Sequence, residues 1–71
     1  MSPEKLIRMA NQIAAFHASQ RAPVAPAVAA HINDFWEPRM RAALLSHIAA
    51  GGAGLRAEVV SAADLIRQPA A

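Results

Sequence analysis

Apolar residues recur along this chain at helical steps, with polar or breaking residues between the runs. Leu6, Met9, Ile13 and Phe16 lie 3, 4 and 3 positions apart, one stripe of an amphipathic helix, while Arg8, Asn11, Gln12 and Ala15 occupy the other side. Ser2-Pro3-Glu4 opens it with a capping hydroxyl, a proline in the first turn and an acid near the positive end of the dipole, so a helix is predicted over about 3–19. RAPVAP, residues 21–26, breaks the pattern, because its prolines bias Ala22 and Ala25 away from helical angles. A second helix, 26–36, carries Val28, Ile32 and Phe35 on one face. Glu37-Pro38 interrupts it, which predicts a sharp corner at Trp36-Glu37 and a third helix over 38–50 with Met40, Leu44 and Ile48 as its stripe and Leu45 beside them. GGAG, residues 51–54, ends that helix, since glycine accepts a left-handed cap cheaply. Leu55, Val59, Ala62 and Ile66 predict a last helix over 55–67, closed by Pro69. Ser61 with Asp64 marks an alternative, later N-cap, but the apolar spacing runs unbroken through Ser61 and favours the longer helix. No segment alternates as a strand would and no internal repeat is present. The expectation is an all-α fold, one helical domain over residues 1–71 built as a small bundle of three to four short helices.

Composition qualifies that picture. Of the 55% hydrophobic residues, twenty are large and nineteen are alanine, which favours helix but buries little surface. One core in a domain under roughly 70–80 residues seldom supplies more than about 3–5 kcal/mol. The chain has no cysteine, so disulfides and thiolate metal sites are excluded, and further stability has to come from self-association or from docking on something larger. The pI near 10.6 reflects a net charge of only +2 with few groups titrating between histidine and arginine. The charges are dispersed and form no basic patch, which speaks against nucleic acid. The start MSPEKLIRMANQ has no apolar run of signal-peptide length, and no stretch approaches the ~18 apolar residues of a membrane span, so a soluble, cytoplasmic protein with no membrane partner is expected.

Catalytic chemistry is hard to find. His17, His31 and His47 are 14 and 16 positions apart, whereas metal-binding pairs on a helix sit at i, i+3 or i, i+4. They are expected as solvated or half-buried imidazoles. GGAG follows a helix rather than a strand and precedes no Lys-Ser/Thr, so it reads as a cap and not as a phosphate cradle. No nucleophile elbow and no close carboxylate pair occurs. The stretch INDFWEPRMR, residues 32–41, stands out instead, with two of the three aromatic residues side by side. In one reading Phe35 continues the Val28/Ile32 stripe into the core and Trp36 covers a helix corner. In the other, Trp36 falls off the stripe and, with Phe35, Glu37, Arg39, Met40 and Arg41, forms a partner interface, since Trp and Arg are enriched at interface hot spots. An internal Glu37–Arg41 pair at i, i+4 is the competing role for those two charges.

The same residues carry a resemblance. LIRMANQIAAF (residues 6–16), HINDFWEPRMRAALLSHIAAGGAGL (residues 31–55) and the spacing between them resemble the small delta subunit of soluble, cytoplasmic, NAD-dependent molybdenum formate dehydrogenases. The family's MANQIA matches positions 9–14, its FWxPxM matches Phe35, Trp36, Pro38 and Met40, and its GGAGL turn matches positions 51–55. The resemblance implies a subunit that binds no cofactor and is not an enzyme by itself. Its implied partners are a catalytic alpha subunit with a bis-molybdopterin guanine dinucleotide molybdenum cofactor and iron–sulfur clusters, and beta and gamma subunits with FMN, further clusters and the NAD site. It implies a role in acquiring or keeping the molybdenum cofactor and in complex stability. A small regulatory or nucleic-acid-associated helical protein is the alternative.

Overall fold

The computed structural model describes residues 2–68, and among them it contains helices and no strand. Helix α1 spans Pro3–Ala18, α2 Val24–Phe35, α3 Pro38–Ala49 and α4 Ala57–Ala62, followed by a 3-10 turn at Ala63–Leu65. The all-α expectation holds. The start of α1 follows its sequence signals: the Ser2 hydroxyl accepts from the Lys5 amide at 3.3 Å and Pro3 occupies the first turn. At the other end the Ser19 hydroxyl donates to the Phe16 carbonyl at 2.8 Å.

Helix α2 begins at Val24, two residues before the predicted restart at Pro26. Pro26 therefore sits within the first turn, where backbone N–H groups lack intrahelical partners and a missing donor costs little. The corner forms where it is expected. Trp36 leaves the helix with an extended backbone while its N–H still reaches the Ile32 carbonyl at 2.9 Å, and Pro38 opens α3. Helix α3 ends in the glycine turn, with the Gly52 amide donating to the His47 carbonyl at 2.9 Å. Gly52 has φ +66°, and a Cβ there would lie 3.3 Å from Val60, so conformation and space both ask for glycine. His47 Nε2 is 2.7 Å from the Ala53 carbonyl, which can only accept, so Nε2 is the donor in this contact.

The last helix is shorter than predicted. It covers Ala57–Ala62, not 55–67, and neither runs on to Arg67 nor restarts at a Ser61 cap. Two asparagines on the earlier helices explain why. Asn11 of α1 donates through Nδ2 to the Gly54 carbonyl and accepts from the Arg56 amide, both at 2.9 Å. Asn33 of α2 does the same at the far end, donating to the Leu65 carbonyl at 3.0 Å and accepting from the Arg67 amide at 2.8 Å. Each amide thus brackets one apolar residue, Leu55 or Ile66, and takes backbone groups that a continued helix would need for itself. Ile66 is extended (φ −79°, ψ 127°) yet 4% exposed, so the predicted stripe residue reaches the core from a non-helical backbone. Pro69 lies outside the described residues.

Helix α2 is central, packed on α1 along one flank and on α4 and the 3-10 turn along another, while α3 lies against α1. The buried cluster comprises Leu6, Ala10, Ala14, Val28, Ala29, Ile32, Trp36, Leu44, Val59, Ala62 and Ile66, and it contains no polar or charged residue. On α1 the buried stripe is Leu6, Ala10, Ala14; Met9 and Ile13 flank it and Phe16 is outside. From α2 into its C-cap it runs Val28, Ile32, Trp36, in steps of four, and this overturns the reading in which Phe35 continues the stripe into the core. Trp36 is 5% exposed and Phe35 is 73% exposed. At α4, the Arg56 guanidinium meets the Glu58 carboxylate at 3.1 Å, and this hydrogen bond, with one from the Glu58 backbone, holds the carboxyl below its ordinary value of 4.5. That small surface contribution is present above the ordinary value and is lost as the pH falls through the lower folded-state pKa.

Two measurements check this account. Asn11→Ala and Asn33→Ala should each lower unfolding stability by about 1–3 kcal/mol in urea titrations, since each removes two bonds to backbone groups. The two losses should add, because the clamps share no partner. Trp36→Ala should cost about 3–5 kcal/mol and leave this small chain largely unfolded. Phe35→Ala should change stability by no more than about 0.5 kcal/mol, and the opposite order would place Phe35 in the core.

Candidate partner interface

Of the six residues that the sequence groups at the corner, three point outward. Phe35, Glu37 and Arg39 are exposed, Met40 is half-buried against the core, and Trp36 lies inside it. Arg41 is half-buried and engaged within the chain: Nη1 donates to the Trp36 carbonyl at 2.8 Å and Nε to the Arg67 carbonyl at 3.1 Å. The Glu37–Arg41 ion pair does not form; the pair found among the described residues is Arg56–Glu58. Arg41 therefore ties the end of α2 to the segment that follows α4, and it fixes the corner on which Phe35, Glu37 and Arg39 stand.

Phe35 is not alone. Its ring lies 4.8 Å from that of His31, one helical turn back on α2. The His31 ring is 6.3 Å from His17 on α1, and His17 is 5.2 Å from Phe16 in an edge-to-face arrangement. These four rings form one continuous row across α1 and α2. Phe16 is 62% exposed at one end and Phe35 stands out at the other, with both imidazoles half-buried between them. The Nδ1 of His17 is enclosed and has no hydrogen-bond partner. The ring separations lie within the range of aromatic contacts, so the four side chains form a single patch. Two exposed phenylalanines on one patch remain unfavourable in water, and such patches mark contact surfaces.

Sequence spacing missed this row, because it placed Phe16 on a core stripe and divided Phe35 between a core stripe and the interface at the corner. One signal was available. His31 and Phe35 are four apart and therefore share one face of α2 once Trp36 is taken as the core position. The row lacks the makings of a metal centre: among the described residues no three His, Cys, Asp or Glu side chains come together to hold an ion. Nor is any described helix long and apolar enough to cross a membrane.

The family model described as "NADH-dependant formate dehydrogenase delta subunit FdsD" matches residues 5–63. None of the curated proteins matches the chain. The family match takes in α1 from its third residue, α2, α3, the glycine turn, α4, Asn11 and Asn33, and all four rings of the aromatic row. It bears out the resemblance carried by MANQIA, FWEPRM and GGAGL. By that match, the chain belongs to the family of NADH-dependent formate dehydrogenase delta subunits.

Proposed function

We propose that this chain is a non-catalytic subunit of a cytoplasmic molybdenum formate dehydrogenase, and that it docks on the catalytic alpha subunit and helps that subunit to acquire or keep its molybdenum cofactor. The observation that supports docking most directly is the exposed row Phe16–His17–His31–Phe35 on a chain whose family is named as a subunit. On this reading the contact runs along the row and onto the corner at Glu37 and Arg39. Trp36, Met40 and Arg41 act from behind, by holding the corner in place. The chain binds no cofactor itself: the bis-molybdopterin guanine dinucleotide, iron–sulfur clusters and FMN belong to the other subunits, as does the NAD site. Its own contribution is shape and apolar area, which suit holding a partner and not moving electrons or hydride.

Alanine at both Phe16 and Phe35 should weaken association with the alpha subunit by about 2 kcal/mol or more, as loss of aromatic anchors does. The isolated double variant should keep its helical circular dichroism and its urea midpoint. Unchanged affinity would remove the row from the interface. Deleting the chain should abolish or sharply reduce formate-dependent NAD reduction, while NADH-driven dye reduction by the remaining complex persists. Molybdenum and pterin content per alpha subunit should fall in parallel with formate turnover. Full cofactor content without turnover would assign the chain a conformational role, and undiminished turnover would sink the functional reading.

A further inference from the structure

The aromatic row has a phenylalanine at each end and the two imidazoles in the middle, so its order is Phe-His-His-Phe from either end. The segments that carry it are also free of charged side chains. No Asp, Glu, Lys or Arg occurs over residues 9–20 or 22–33, and the seven basic and five acidic side chains of the chain all lie elsewhere. Two copies of a chain with net charge +2 repel where like charges meet, and this face brings none. Depletion of charge with enrichment of aromatic rings is what the centre of a protein interface looks like. A two-fold axis imposes a further condition: where residue i of one copy meets residue j of the other, j also meets i. An axis passing between His17 and His31 satisfies it with rings at both ends, because Phe16 of each copy then lies on Phe35 of the other.

We propose that two free copies of this chain pair through the row about a two-fold axis, Phe16 against Phe35. The phenylalanines are 62% and 73% exposed, and those of two copies offer on the order of 500 Å² of ring surface. That is less than half of the ~1,200 Å² at which stable interfaces begin, so the flanks of α1 and α2 have to contribute and the dimer is weak and readily exchanged. Self-pairing covers in the free chain the two rings that water disfavours most. It concerns the free chain and stands whether or not the row also meets the alpha subunit. Where it does, the two contacts exclude one another, and the dimer comes apart as the chain docks.

The isolated full-length chain tests this. In sedimentation equilibrium from about 10 µM to about 1 mM, the mass should rise with concentration from 7.5 kDa toward twice that value. The double variant Phe16→Ala/Phe35→Ala should stay at the monomer mass over the same range and keep its helical circular dichroism. Because the chain has no cysteine, introduced thiols can report which residues face each other. With oxidised glutathione as oxidant, an equimolar mixture of Phe16→Cys and Phe35→Cys chains should form disulfide-linked pairs about tenfold faster than either variant alone, since the axis sets position 16 against position 35. A wild-type chain that is still monomeric at about 1 mM would overturn the proposal, and so would a folded double alanine variant that dimerises like the wild type. Faster linkage of like with like would overturn it too, because the rows would then run parallel. None of these measurements uses the alpha subunit, so self-pairing and docking stand or fall separately.

Discussion

Two asparagine side chains organise this protein. Helices α1 and α2 carry Asn11 and Asn33, and each amide takes a carbonyl and an N–H on either side of one apolar residue of the C-terminal third. An asparagine amide has the donor and acceptor of a peptide group, so it can satisfy the main-chain groups on either side of a residue that lies outside the helices. The effect is to stop α4 at both ends and to aim Leu55 and Ile66 at the core. Without the two clamps, the stripe from Leu55 to Ile66 would be free to wind as one helix, and a helix of that length would present a different face to α2.

Much of the architecture was legible in the chain. The caps and prolines at Ser2-Pro3 and Glu37-Pro38, the break at RAPVAP and the GGAG turn set the helix count and the corner through local backbone chemistry. The candidate site was legible only in outline. Side-chain size suggested the stripes Leu6-Met9-Ile13-Phe16 and Val28-Ile32-Phe35, but in this alanine-rich chain small residues share the deepest positions with large ones. Ala10, Ala14, Ala29 and Ala62 are as fully enclosed as Val28, Ile32, Leu44 and Val59, because they let the helices approach closely, and on α1 Met9 and Ile13 flank the alanines. Turning the faces toward alanine puts Trp36 inside and both phenylalanines outside. The asparagine clamps link positions 32 to 45 residues apart, and no local pattern encodes that.

The corner illustrates how one unit of sequence divides its work. In FWEPRMR, the tryptophan fills the core, the proline starts a helix, and one arginine ties the Trp36 carbonyl to that of Arg67. Phe35, Glu37 and Arg39 are left on the outside by the same geometry. A motif of this kind joins structural and surface residues in consecutive positions, so its specificity as a family marker does not by itself say which of its residues a partner meets. The exposed aromatic row extends that surface onto α1, well away from the motif in sequence.

The clamps also govern the order in which the fold can be assembled. Asn11 meets groups 43 and 45 residues further on, and Asn33 meets groups 32 and 34 residues further on. Loop closure of this length has to precede any reward from the contact, so α1 and α2 cannot be stabilised by their clamps as they are made. A nascent chain that has not passed Arg56 has neither bracket to close, and its alanine-rich helices have only each other to pack on. Acquisition of structure is therefore tied to synthesis of the last third, and a prematurely terminated chain would present its apolar faces to proteases instead of to a partner.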